Sequence, residues 1–314
     1  MPITFMEYET INNYNEQIYV ELCGGLGNQL FQYATARTIA DRLCVELVCV
    51  TKWFGSKGNV TNPISPQRAF GLKHFKHARY SVMENVPRHV LNPFSKSNNY
   101  VLYKIRKILV SKYTHSEIKC SSYDDSVHRI PSGVMLKGYY QNFRYFQHNQ
   151  KRIKDDLVFT TPLTSANAEL SDKIKQDSNS ISLHFRRMDY LNPVIQHRMA
   201  TCSMEYYRRA LSYIFDKTGG GCKLYLFSDD IEWVKHNVDF DFRMEFVDIN
   251  DNKNGHFDLH LQSLCSHNII ANSTMSLWAA WLNANPNKIV CAPKKWYVGG
   301  GYNPATDLWT LIEN

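Results

Sequence analysis

No run of about 18 consecutive apolar residues occurs in the 314-residue chain, so nothing in it reads as a membrane-spanning helix. Residues Met1 to Gln17 carry Glu7, Glu9 and Glu16 and lack an apolar core, unlike a secretory signal. The C-x-x-C pattern is missing. Cys23, Cys44, Cys49, Cys120, Cys202, Cys222, Cys265 and Cys291 stand apart, several inside apolar runs. That argues against structural zinc and a disulfide framework, and predicts buried, reduced thiols in a cytoplasmic setting. No His, Asp or Glu set has metal-ligand spacing. Asp239-Phe240-Asp241 matches D-x-D in letters only, within a loop-like stretch, so no metal is expected. A G-x-S-x-G nucleophile elbow is absent as well. Internal repeats and low-complexity tracts do not occur. Charge of one sign is only mildly in excess: 36 Lys and Arg against 29 Asp and Glu, spread along the chain. Without a dense basic stripe interleaved with aromatics, a nucleic-acid partner is not expected, whereas an anionic small ligand suits the balance.

What is present is the length and patterning of two α/β domains. Ile18 to Leu22 is a short apolar strand ending at Gly24-Gly25-Leu26-Gly27. The helical spacing of Leu30, Ala34, Ile39, Ala40 and Leu43 follows, and Val45 to Val50 reads as the next strand. Thr51 to Pro131 is irregular. Within it the basic segment Tyr103 to Tyr113 is either a solvated helix face or a contact for a membrane surface or lipid-linked acceptor. Val134 to Lys137 reads as a strand. The polar stretch Thr160 to Ser180, with Pro162, marks the expected boundary between residues 1–165 and 166–314. Beyond it strands and helices alternate: Ser180 to Phe185, the helix Ser203 to Phe215 capped by Ser203, Leu224 to Phe227, the helix Asp229 to Asn237, the helix Phe257 to Cys265, Asn268 to Ala271, the helix Ser273 to Leu282, and Ile289 to Ala292. This alternation predicts doubly wound parallel sheets, hence two Rossmann-like domains facing a cleft.

Five constellations could carry chemistry, and all but Asp258 sit just past strand carboxyl ends, where such sheets bind ligands. His184 closes a strand, and Arg186 and Arg187 follow it. They offer guanidinium forks to a phosphate, or Arg187 pairs structurally with Asp189. Asn272-Ser273-Thr274 opens a helix, either as an anion site or as an N-cap. Asp229 lies at a strand end, either as a ligand-facing carboxylate or in a capping box with Glu232. Asp258 starts a helix and has the chemistry to accept from both N1–H and the amine of guanine, or it is a helix-start acid. The glycine turn with Gly25, Gly27, Asn28 and Gln29 lacks the Lys-Ser/Thr of a P-loop and the third glycine of G-x-G-x-x-G. It still permits close backbone approach, with Asn28 and Gln29 as polar tips.

Seven strings occur in order from near Val20 to near Pro293: Gly24-Gly-Leu-Gly-Asn-Gln-Leu-Phe-Gln-Tyr-Ala34, Gly138-Tyr-Tyr-Gln-Asn-Phe-Arg-Tyr-Phe146, His184-Phe-Arg-Arg-Met-Asp-Tyr190, Cys202-Ser-Met-Glu-Tyr-Tyr207, Phe227-Ser-Asp-Asp230, Asp258-Leu-His-Leu-Gln-Ser-Leu-Cys265 and Ile270-Ala-Asn-Ser-Thr-Met-Ser-Leu-Trp-Ala-Ala-Trp-Leu282. Together they resemble the α-1,2-fucosyltransferase family, in particular its soluble bacterial-type members. The resemblance implies a GT-B-like α/β fold and metal-independent, inverting transfer of L-fucose from GDP-fucose to a galactose 2-hydroxyl of a glycan acceptor, with no cofactor beyond the donor substrate. It implies that Arg186 holds the donor β-phosphate, that Ser273 and Thr274 contact phosphate, and that Asp258 contacts guanine. His184, Arg187, Asp229 and the glycine turn complete the expected donor site, and Asp189 is the first candidate for general base, with the leaving phosphate oxygen as the alternative. Met188 stands where the family usually has Gly, and Met275 and Leu277 replace common aromatics, departures that touch packing and spare the polar groups. A different linkage and an inactive nucleotide-sugar-binding module are the rival readings. Acceptor contacts are expected in Thr51 to Pro131.

Overall fold

The computed structural model describes residues 16–56, 59, 67–85, 113–117, 122–192, 196–251, 253–305 and 309–314, with the side chain of Asp189 outside that set. It divides into two compact units. One comprises the chain to Asn59 together with Phe75–Val158, and the other Val60–His74 together with Phe159–Asn314. The basic segment expected from Tyr103 lies outside the described residues up to Tyr113. Among the described residues, no helix is long and apolar enough to cross a membrane.

The first unit is built on β1 (Gln17–Glu21), β2 (Glu46–Val50), β3 (Ser81–Met83), β4 (Thr114–Ser116) and β5 (Met135–Lys137), all parallel, in the order β3-β2-β1-β5-β4. Between β1 and β2 runs α1 (Leu26–Leu43), buried nearly all round, including Gln32, Thr35, Arg37 and Thr38. A helix without a wet face must satisfy its polar groups internally. Gln32 does so by accepting from the Cys23 N–H and donating to the Gly138 carbonyl at 2.8 Å. Arg37 and Tyr33 converge on Asp156, at 3.1 and 2.8 Å, which tethers α2 (Gln150–Asp156) to α1.

The second unit contains β6 (Ser180–Phe185), β7 (Lys223–Ser228), β8 (Arg243–Phe246), β9 (His267–Ile269), β10 (Val290–Pro293) and β11 (Thr310–Ile312), again all parallel, in the order β11-β10-β9-β6-β7-β8. Its helices are α3 (Ser165–Gln176), α4 (Met204–Thr218), α5 (Ile231–Asn237), α6 (Gly255–Leu264) and α7 (Thr274–Leu282). Side chains alternate across the sheet. Ile181, Leu183, Phe185, Leu224 and Leu226 pack with Tyr206, Tyr207 and Ile214 of α4 on one face, while Tyr225 and Phe227 meet Leu170, Ile174 and Leu261 on the other. The inner strands β6, β9 and β10 are buried on both faces, as expected of a parallel sheet, while the edge strands β8 and β11 are partly exposed.

The α/β, GT-B-like class expected from sequence is the one observed. Ser203 caps α4, accepting from the Tyr206 N–H. Two local expectations need correction. The capping residue of α5 is Asp230, which accepts from the Trp233 N–H at 3.3 Å, so Asp229 forms no capping box with Glu232. Thr160 to Ser180 is not merely a polar connector. It contains α3, whose Leu170 and Ile174 lie one turn apart on the buried face, with Thr164 as N-cap. Of the seven described cysteines, all free, Cys49, Cys222, Cys265 and Cys291 are buried as expected. Cys44 is exposed, because it occupies the left-handed C-cap of α1 at φ 54°. Asp239 and Asp241 lie just before β8, at the amino edge of the sheet, opposite to where such sheets bind ligands.

Candidate active site

The second sheet reverses its winding at β6. From there β7 and β8 extend to one side, and β9, β10 and β11 to the other. This is the strand order of a Rossmann sheet, whose ligands sit outside the carboxyl ends at the switch point, here between β6 and β9. The elements leaving that edge are the turn after His184 and the turn Ile270 to Thr274.

The register pairs Phe185 with Ser228, so Arg186 and Asp229 emerge side by side. Asp229 is the anchor of the turn. One carboxylate oxygen accepts from the Arg187 N–H at 2.8 Å. The other accepts from the Met188 N–H at 3.2 Å and from Arg186 Nη1 at 2.9 Å. The two arginines then part. Arg187, expected beside Arg186 as a phosphate fork, turns to α5 instead. Its guanidinium lies 3.5 Å from the Trp233 ring centroid and its Nε donates to Asp230 at 3.3 Å. The alternative partner considered from sequence, Asp189, lies in the 3-10 turn Met188–Leu191, and its side chain is outside the described residues.

His184 ends a polar stripe on β6. Ser180 and Ser182 in that stripe are satisfied by Ser266 and Asn268, but His184 Nδ1 has no hydrogen-bond partner among the described residues, although the residue is only 2% exposed. Burial, and secondarily Arg186, hold its pKa down to about 4 against the opposing pull of Asp229, so the imidazole is neutral near pH 7. A neutral ring with an unused buried nitrogen is suited to a hydrogen bond with a ligand.

Across the switch point, α7 begins at Ser273, whose side chain makes no capping bond. Following β9 directly, α7 begins at the carboxyl edge of the sheet, where the positive end of its dipole favours an anion. Asn272 holds this turn in place. Its amide donates to the carbonyls of Ala200 and Trp296, and its own carbonyl accepts from Tyr190 Oη at 2.6 Å. One buried residue thus joins the turn after Arg186 to the start of α7.

Asp258 lies in the first turn of α6 and accepts from Asn250 Nδ2 at 2.7 Å. Desolvation raises its pKa to about 7, only partly offset by that hydrogen bond. The segment 67–74, which carries none of the motifs, also belongs to this unit. His74 stacks on His256 with ring centroids 3.6 Å apart, and Arg68 lies close enough to Arg186 and Asp229 for their charges to act on it. Sequence reasoning missed Arg68, His74 and Asn250, because no periodicity or motif marks them.

Gly25, Gly27, Asn28 and Gln29 occupy the carboxyl edge of the first unit's sheet, at its own switch point between β1 and β5. Gly24 adopts φ +77°, and a Cβ there would stand 2.7 Å from Asn28 Nδ2, so the turn requires glycine. Asn28 accepts from Gln141 Nε2 at 2.8 Å. Gln29 is not the polar tip expected. It is fully buried, and its amide donates to the Gly24 carbonyl, bracing the turn from behind.

The sequence profile of glycosyl transferase family 11 matches residues 17–299. The Escherichia coli O-antigen biosynthesis glycosyltransferase WbnK is 29% identical over 310 residues, covering 93% of this chain and 99% of the relative. The Escherichia coli alpha-1,2-colitosyltransferase is 28% identical over 306 residues, covering 94% and 99%. Among solved structures, a mutant of Arabidopsis thaliana FUT1 in complex with GDP aligns with a TM-score of 0.52 at 11% identity, covering 94% of this chain and 75% of that one, a likeness of fold. The profile match spans both sheets' switch points and the start of α7, and the chain belongs to glycosyl transferase family 11, the α-1,2-fucosyltransferase family that its motifs resemble.

Proposed function

We propose that this glycosyltransferase moves L-fucose from GDP-fucose to the 2-hydroxyl of a galactose in a glycan acceptor, with inversion at the transferred carbon. The observation that carries the reading is the convergence of Arg186, pinned by Asp229, and the N-terminus of α7 on one switch point. As the sugar–phosphate bond breaks, negative charge collects on the β-phosphate. A fixed guanidinium and a helix N-terminus aimed at it stabilise the transition state more than the ground state. Ser273 and Thr274 contribute hydroxyls and N–H groups there. Asp258 reads the guanine edge, and neutral His184 donates or accepts beside it. Asp189, three residues beyond Arg186, takes the acceptor proton. The phosphate charge is met by these groups, so activity persists in EDTA. Complete loss restored by Mg²⁺ or Mn²⁺ would overturn that point.

The test is incubation with GDP-fucose and an array of galactose-terminated acceptors, followed by NMR of the product. An α-linked fucose on the galactose 2-hydroxyl is expected. A different linkage, or donor binding without turnover across the array, refutes the assignment. The name of the colitosyltransferase relative favours one second reading, GDP-colitose as donor. Colitose lacks the 3-hydroxyl of fucose, so a site built around that hydroxyl discriminates strongly against it. Competing the two donors at equal concentration decides between them.

A further inference from the structure

Asp258 is held by residues that its own helix does not contain. Asn250, eight residues before it, donates from Nδ2 to Asp258 Oδ1 at 2.7 Å. Between the two, Asp251 accepts from the N–H groups of Lys253 and Asn254 at 2.9 and 3.1 Å, which holds the approach to α6. The Asn250 amide is itself held by Asn167, in the first turn of α3. The two amides exchange hydrogen bonds in both directions, each at 2.9 Å. Asn167 is 1% exposed, and its Nδ2 also donates to the N-cap residue Thr164 at 2.7 Å. The frame is firm because α3 and α6 share a core, in which Leu170 and Ile174 pack with Leu261.

The amide pair fixes which end of Asn250 faces the acid. Turning Asn250 alone would oppose oxygen to oxygen and nitrogen to nitrogen across the pair. Turning both amides would set the Asn250 oxygen against the Asp258 carboxylate. The orientation present aims an N–H at Asp258. It favours the ionised carboxylate, with two accepting oxygens, over the acid, with one donor and one acceptor. That choice matters to a purine. The guanine edge offers two donors, N1–H and the 2-amine, and meets a double acceptor. The adenine edge offers N1 as acceptor and the 6-amine as donor, and meets the protonated acid. Among the described residues Asp258 forms no ion pair, and burial and the Asn250 bond are the two influences on its ionisation. The cations of the elements packed against α6 act elsewhere, Lys73 on His74 and His256 and Lys175 on His260. Burial lowers the pKa of all three imidazoles.

We propose that Asn250, braced by Asn167, is a positioning residue for the donor base, keeping Asp258 a double acceptor and so selecting guanine over adenine. This rests on the donor reading above, in which Asp258 meets the base. Asn250 acts through the carboxylate, by orienting it and by favouring its charge. Its effect on ionisation therefore fades at high pH, where Asp258 ionises without help.

The test is calorimetric titration of the full chain with GDP between about pH 6.5 and 9, for wild type, Asn250→Ala, Asn250→Asp and Asp258→Asn, with ADP as competitor at about pH 7. Wild-type affinity should level off above about 7, where Asp258 ionises. In Asn250→Ala the levelling should move up by about one pH unit, so that GDP affinity falls about fivefold at pH 7 and returns by about pH 9. Asn250→Asp keeps the shape, turns the donor into an acceptor, and should move the levelling further. In both variants the ratio of GDP to ADP affinity near pH 7 should fall about tenfold or more, since the acid form gains what the carboxylate loses. Asp258→Asn should bind GDP weakly at every pH. A wild-type pH profile in both Asn250 variants overturns the proposal, and unchanged competition by ADP overturns the selection of guanine. A loss of GDP affinity equal at every pH, with a lowered melting temperature, also overturns it, in favour of a purely structural role. If Asp258→Asn binds GDP as tightly as wild type, the donor reading of Asp258 fails instead, a result that does not involve Asn250.

Discussion

Replacing Asp229 by Asn keeps the shape of the side chain and removes its charge, and the donors around it decide the outcome. The native carboxylate meets three of them, two through one oxygen and one through the other. An amide has one accepting oxygen. In its better orientation the oxygen keeps Arg186 and Met188, and the NH₂ group confronts the Arg187 N–H. In the other, two donors are confronted. Each buried polar group left unmatched costs about 1–3 kcal/mol. An opposing effect is the loss of repulsion between Asp229 and a bound phosphate. At a separation on the order of 10 Å and an effective dielectric of about 20, that repulsion is about 1.7 kcal/mol, reduced to about 0.5 by physiological salt. The lost anchoring therefore wins. Because the net cost of about 0.5–2.5 kcal/mol falls on the aim of Arg186, kcat/KM for the donor should drop roughly 2- to 70-fold. Steady-state kinetics with varied donor, together with calorimetry of GDP and a thermal melt, measure this. A variant with kcat/KM within twofold of wild type, or one that binds GDP more tightly, would refute the view that Asp229 works by holding Arg186.

Arg186→Lys keeps the charge and loses the fork, and should reduce kcat/KM on the order of 10²- to 10³-fold; retention of more than half the activity rules out the phosphate role. Asp258, with its pKa raised to about 7, is largely protonated below that pH, whereas guanine presents two donors that require the carboxylate. GDP binding should therefore release a proton below pH 7 and tighten as pH rises to about 7, which calorimetry in buffers of different ionisation enthalpy detects. The native state holds this proton after the unfolded chain has lost it, so Asp258 also makes stability fall as pH rises from the ordinary carboxylate range to about 7. Asp258→Asn should abolish both effects, and an unchanged proton release would contradict the assignment. Asp156→Ala removes the acceptor shared by Arg37 and Tyr33, while Arg37 keeps Asp41 at 2.7 Å and the Tyr33 hydroxyl keeps the Arg79 N–H, and should cost about 1–3 kcal/mol in urea unfolding; a loss under about 0.5 kcal/mol contradicts the role given to that tether. Asp189→Asn should lower kcat while leaving GDP affinity nearly intact if Asp189 is the base, and a near-normal kcat removes it from that role.

Much of this protein was legible in its sequence because the relevant signals are local. Gly24 is dictated by a left-handed backbone and by Asn28 four residues on. Buried parallel strands such as Ser180–Phe185 declare themselves as apolar runs, and Ser203 announces α4. The edge on which His184, Arg186, Asp229 and Ser273 gather follows from their positions just past strand ends, once the sheet is known to be parallel. Ser81–Met83, Thr114–Ser116 and Thr310–Ile312 did not show, because they are partly exposed and carry no apolar run, whereas the equally short Met135–Lys137 and His267–Ile269 are mostly buried and did. The partners of each charge were also hidden. Whether Arg187 pairs with Asp189 or with Asp230, and whether Asp229 caps a helix or anchors Arg186, depends on register and on the way a helix is entered. Neither is encoded by neighbours in the chain. The same holds for Gln29, turned inward because the glycine loop needs a brace, and above all for Arg68. Its own segment carries no motif, and only the tertiary structure brings it within reach of the Arg186 charge, the same segment being tied to the second unit where His74 stacks on His256.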